Sequence, residues 1–156
     1  PPAPGAIRAA LPGPPEDRWL MVTGSEQEGA QWFAMEGVLP RPLPTPPVAL
    51  FPRELSVSPD GRYLAVVSAG EGHPVLDILI LGQVLDGTHG EHPLWTLDPY
   101  PGSVDVVGWD GARLKVRSDR PLEAGRDGTG RPLGEAGTGP WQAFSLDPAT
   151  GRFLKE

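Results

Sequence analysis

The stretch Leu55-Ser56-Val57-Ser58-Pro59-Asp60-Gly61-Arg62-Tyr63-Leu64-Ala65-Val66-Val67 decides the fold class. Leu55 and Val57 alternate with serines, the period-two pattern of a strand with one apolar face. Pro59-Asp60-Gly61 is a turn with a physical mechanism. Proline presets φ, aspartate bonds the local backbone, and glycine takes a positive φ at no steric cost. A second strand follows from Tyr63 to Ser68, and after a Gly- and Pro-containing turn a third runs from Val75 to Leu81. Pro93 to Leu97 supplies a fourth.

The same order recurs on both sides. Downstream, Ser103 to Trp109, the turn Asp110-Gly111, Ala112 to Ser118, Trp141 to Leu146, and Arg152 to Leu154 after Asp147-Pro148-Ala149-Thr150-Gly151 read as strand and turn in alternation. Upstream, Gly5 to Ala10, Arg18 to Thr23, Gln31 to Glu36 and Val48 to Phe51 read as four strands. No long window keeps a helical apolar stripe without Gly or Pro interrupting it. Trp19-Leu20, Tyr63-Leu64 and Arg113-Leu114 recur at a spacing near that of a four-stranded propeller blade. The expectation is one all-β domain over residues 1–156, with about three blade-like units at 1–51, 52–98 and 99–156. Closed propellers have about four to eight blades, so three units do not close a ring alone, and two copies would supply the halves of a six-bladed one. A β-sandwich or open barrel is the alternative.

Composition agrees and excludes other classes. The 156 residues hold 21 glycines and 21 prolines, a proportion seen in low-complexity chains. Leu, Ile, Val and Phe nevertheless make up about a quarter of the chain, enough to bury a core. The net charge is −7 and no basic run exists, which disfavours nucleic acid and anionic membrane surfaces. No stretch approaches the roughly 20 apolar residues of a membrane-spanning helix. The absence of cysteine excludes disulfides and thiolate chemistry. Asparagine is also absent and arginine far outnumbers lysine, a thermophile-like pattern that GC-rich codon usage also produces.

The segment Leu55 to Ala65 resembles the F-S-P-D-G-x-x-[LI]-A repeat of TolB-type, WD40-like β-propellers, with Val57 where the repeat has an aromatic residue. Val104 to Leu114 is similar but lacks the Ser-Pro, and Asp147 to Arg152 resembles the turn between the outer strands of such blades. The resemblance implies a non-enzymatic interaction or ligand-binding module, in a bacterial periplasm or secreted. It also implies a protein partner, including a homodimer that completes a ring. The rival class is a propeller enzyme, or an accessory propeller of a peptidase or carbohydrate-active hydrolase.

Candidate chemistry is sparse. His89-Gly90-Glu91-His92 is a weak candidate for metal binding, because a structural site needs more ligands and His73 is the only other histidine. A polar loop between the third and fourth strands of a blade is the favoured reading of the motif, and no metal or cofactor is assigned. Asp127-Gly128-Thr129-Gly130 lies in the Gly-rich stretch 119–140, with one carboxylate and thus a poor calcium loop. No G-x-S-x-G, P-loop or dinucleotide fingerprint occurs, and no carboxylate pair stands out among twenty acids. Asp77 and Asp105 interrupt strands, either as solvent-facing positions or as partners of a nearby turn. Of the five tryptophans, Trp19, Trp109 and Trp141 are expected in the core, and Trp32 and Trp95 are the candidates for exposed binding anchors. The run Pro40 to Pro47 is expected to be an extended connector.

Overall fold

The computed structural model describes residues 6–70, 73–120 and 139–156. The fold is all-β, built as three four-stranded antiparallel sheets, each a meander of consecutive strands. The first sheet holds β1 (Ile7–Ala10), β2 (Arg18–Ser25), β3 (Gly29–Glu36) and β4 (Leu39–Leu43). The second holds β5 (Phe51–Val57), β6 (Tyr63–Gly70), β7 (His73–Ile80) and β8 (Trp95–Leu97). The third holds β9 (Val104–Asp110), β10 (Arg113–Ser118), β11 (Gln142–Asp147) and β12 (Arg152–Lys155). The second meander begins at Phe51, one residue before the expected unit 52–98, and among the described residues no barrel closes.

The diagnostic hairpin forms as its residues require. The Ser58 amide donates to the Tyr63 carbonyl at 3.0 Å, and the Tyr63 amide returns a bond to Ser58 Oγ at 3.0 Å. Ser58 Oγ donates to Asp60 Oδ1 at 2.7 Å, and the Arg62 amide donates to the same oxygen at 3.0 Å. Gly61 takes φ +73°, the left-handed region that any other residue enters at a cost. Ser58 is fully buried, so its hydroxyl replaces water as the partner of two polar groups.

The middle sheet is covered on both faces, which follows from its continuous apolar runs. Along β6, Tyr63, Ala65 and Val67 point to one side and Leu64 and Val66 to the other. The first side meets Val104, Leu114, Val116, Phe144 and Leu146 of the third sheet. The second meets Leu20, Val22, Trp32 and Leu43 of the first. Two cores therefore flank one sheet. Leu64, Leu114 and Leu20 are each fully buried. Truncating any one to alanine is worth about 2–5 kcal/mol.

Two local expectations are corrected. The fourth strand of the first sheet is Leu39–Leu43, not Val48 to Phe51, and Phe51 opens the second sheet instead. Pro40 and Pro42 thus sit inside a strand. They are tolerated because β4 is an edge: alternate residues there turn their amide side away from β3, where no donor is needed. The rest of the run, Pro44 to Pro47, is the connector. In addition, a short helix α1 (Leu81–Asp86) follows β7. It buries Leu81 and Val84 against the first core and ends at Gly87, whose φ of +72° supplies the left-handed cap.

Candidate functional site: the outer face of the first sheet

Strand register assigns every side chain of the first sheet to a face. Ile7, Val22, Trp32 and Leu43 form one cross-strand row, and they belong to the core shared with the middle sheet. The adjacent residues must then point the other way. They form two further rows: Arg8, Met21, Phe33 and Pro42, and beside it Ala10, Trp19, Met35 and Pro40. None of these eight residues belongs to either core. Arg8 is the only charged side chain among them, and its guanidinium lies over the Trp19 ring, 5.1 Å from the centroid. Met21 and Met35 are closed over by their neighbours at 9% and 8% exposure, Trp19 and Phe33 are half-buried, and Pro40 and Pro42 are exposed.

The far face of the third sheet differs in kind. Arg113, Lys115 and Arg117 alternate with the buried Leu114 and Val116 and point outward. Arg117 pairs with Asp105 at 2.9 Å, Lys115 pairs with Glu156, and Arg113 donates to Ser145 Oγ at 3.3 Å. Arg117 also lies 5.6 Å from the centroid of the Trp141 ring. The outer rows of the first sheet thus carry one charged side chain, whereas the third-sheet face combines ion pairs with the exposed Leu154 and Trp141.

The tryptophans fall differently from expectation. Trp32 is buried at 1% exposure in the core between the first and second sheets, so the expected exposed anchor is corrected. Its β3 position shares a face with Leu20 and Val22 across the register, which decides its burial. Trp141 is half exposed at 49%, which corrects its assignment to the core; it precedes β11 and lies against the charged outer face. Trp109 packs on the second core and stacks on Tyr63 with centroids 6.4 Å apart. Trp95 packs against the same core, and its Nε1 donates to the Pro148 carbonyl at 2.8 Å, tying the second sheet to the β11–β12 turn.

His89 and His92 border the same cleft, of about 280 Å³, with Leu79, Gln83, Val84 and Leu94, below the C-terminus of α1. Among the described residues no group of three or more His, Asp or Glu side chains gathers around a common point. The third histidine is elsewhere: His73 lies 3.8 Å from Asp98 and meets Tyr100 edge-on. The segment Asp127 to Gly130 lies outside the described residues.

The two strand-interrupting aspartates have opposite fates. Asp105 is exposed and paired with Arg117. Asp77 is 1% exposed, on the first-sheet side of β7. Its Oδ2 accepts from the Ala49 amide at 3.0 Å and its Oδ1 from Thr96 Oγ1 at 2.8 Å. Ser68 Oγ similarly accepts from the Leu50 amide at 3.1 Å. The connector between the first two sheets is thereby held by side chains of the middle sheet. Burial pushes the Asp77 carboxyl up to about 6, Asp98 adds to the rise, and the two hydrogen bonds only partly offset it.

Among the described residues no helix is long and apolar enough to cross a membrane. Comparison with protein-family models, with curated proteins and with solved structures finds no match to this chain.

Proposed function

We propose that this chain is a non-enzymatic, propeller-like interaction module, and that the outer face of its first sheet is where it binds another protein. The observation that carries the reading is the pair of rows around Met21 and Phe33, apolar except for Arg8 and outside both cores. A contiguous apolar sheet face gains free energy when an apolar surface removes it from water, by about 25 cal/mol per Å². The partner whose chemistry fits is a second copy, presenting the same face about a two-fold axis. The single charge on each face is already satisfied over the Trp19 ring.

The ring-closing arrangement is the second reading. It sets the first sheet of one copy against the third sheet of the other. That contact buries the pairs Arg117–Asp105 and Lys115–Glu156 against apolar side chains. Desolvating ion pairs without new partners costs more than it returns. Two single variants separate the readings in sedimentation experiments. Phe33→Glu interrupts both modes, whereas Leu154→Glu on the third sheet interrupts only the ring. The two-fold mode predicts that Phe33→Glu is monomeric and Leu154→Glu dimeric. A monomer in both variants would favour the ring.

A further inference from the structure

At the end that carries the β3–β4 turn, the first sheet borders a cleft of about 250 Å³. Three rows of the register converge there. Arg18 lies opposite Glu36 and Glu36 opposite Leu39, the next row pairs Met35 with Pro40, and two rows on from Glu36 Ala34 lies opposite Arg41. Leu11 and Leu85 complete the floor from the chain after β1 and from α1.

The chain carries a net charge of −7, and acidic side chains are plentiful. Nevertheless neither Arg18 nor Arg41 forms an ion pair among the described residues. Each is held by a backbone carbonyl instead: Arg18 Nη2 donates to Pro12 at 3.1 Å, and Arg41 Nη1 donates to Leu85 at 3.0 Å. These bonds orient the guanidinium groups and leave their charge unneutralised. Arg18 Nε is buried and has no acceptor. A buried donor without a partner is costly, and an oxyanion is the acceptor to which a guanidinium fork donates best. Even Glu36, directly across the strand from Arg18, makes no ion pair with it.

We propose that this cleft is a binding site for a small monoanionic carboxylate with a short apolar chain, held by Arg18 and Arg41 over Leu11, Ala34, Leu39 and Leu85. Two guanidinium groups and one carboxylate leave a single positive charge, which matches one carboxylate. A doubly charged phosphate meets repulsion from Glu36 without gaining a further cation. The apolar floor rewards a hydrocarbon tail by about 0.8 kcal/mol for each CH₂ removed from water. Met35 and Pro40 of the outer-face rows also border the cleft, so carboxylate binding is read by hexanoate titration and self-association separately by solution mass.

The test titrates the full chain with hexanoate, 1-hexanol and inorganic phosphate, followed by proton–nitrogen correlation NMR. The expected result is a saturable shift of the Ala34, Leu39 and Arg41 amides and of the Arg18 Nε–H signal with hexanoate. Hexanol and phosphate shift them far less. Arg41→Gln, on an exposed side chain, weakens hexanoate by about tenfold, as the loss of one charge-assisted bond implies. Arg18→Gln does the same if its spectrum remains that of a folded chain. Absence of a saturable hexanoate shift overturns the proposal, as does an Arg41→Gln variant that binds unchanged. Equal binding of hexanol would reduce the site to a hydrophobic cleft, and tighter binding of phosphate would contradict the carboxylate assignment.

Discussion

Phe33 lies directly opposite Met21 across β2 and β3, on the face of the first sheet that neither core covers. The strand that carries Met21 reads Trp19-Leu20-Met21-Val22, with no polar residue in alternation. Leu20 and Val22 are taken up by the core shared with the middle sheet. Trp19 and Met21 have the same apolar chemistry but face away from both cores; neighbours on the sheet close over Met21, and Trp19 stays half-buried. A strand apolar on both sides belongs inside a stack of sheets, and this one stands at the end of its stack.

The joint between the second and third sheets is sensitive at a glycine. Gly151 has φ +77°, and a Cβ there falls well inside van der Waals contact of the Trp95 ring. Gly151→Ala combines a strained backbone with overpacking, and is expected to destabilise the fold by about 2–4 kcal/mol. Urea denaturation followed by tryptophan fluorescence measures it. A change of a few tenths of a kcal/mol would mean that Trp95 is free to move aside.

The turn that first identified the fold is also an energetic element. Ser58→Ala removes the acceptor of the Tyr63 amide and a donor to Asp60 in a fully buried position. The expected loss is about 1–3 kcal/mol, the cost of leaving a buried donor unsatisfied. A denaturation midpoint equal to that of the wild type would show that water takes over the role.

Asp77 gives the fold a pH dependence of definite sign. Its carboxyl titrates near 6 in the folded chain, against 3.8 as its ordinary value. Between those values the folded chain binds the proton more tightly than the unfolded one. Stability from this group is therefore fully present below pH 3.8 and is lost as pH rises through 6. The loss amounts to roughly 3 kcal/mol. Asp77→Asn keeps an acceptor for the Ala49 amide and offers its own amide to Thr96 Oγ1, without the charge. The variant is expected to show a flatter stability profile between pH 4 and 7 and to gain on the wild type towards neutral pH. Parallel profiles for the two chains would mean that Asp77 does not titrate in this range.

Much of the fold was legible because turn chemistry and period-two alternation act locally. Pro59-Asp60-Gly61, Asp110-Gly111 and Asp147 to Gly151 each punctuate strands where the sequence places them. The misplaced strand was β4, since Pro40 and Pro42 read as a connector and only the edge position makes them admissible. The helix α1 was missed for a related reason. Its six residues are too few to show periodicity, and it exists because Leu81 and Val84 find the first core. The candidate face was half legible. The unbroken run Trp19 to Val22 signals cover on both sides, but only the register reveals that Met21 and Phe33 are the residues left outside. Trp32 took a core place because a strand residue's face depends on its partner's register, which composition does not encode, whereas Trp141 precedes β11 and stays half exposed.

The measurement that tests the account most directly is the solution mass of the full chain by light scattering across a dilution series, at low and at high salt. Each copy carries −7, so screening should strengthen an association held by an apolar face. The account predicts a dimer that dissociates on dilution, tightens with salt, and is lost in Phe33→Glu. A wild-type chain that stays monomeric at every concentration and at both salt levels would contradict self-association through the first sheet.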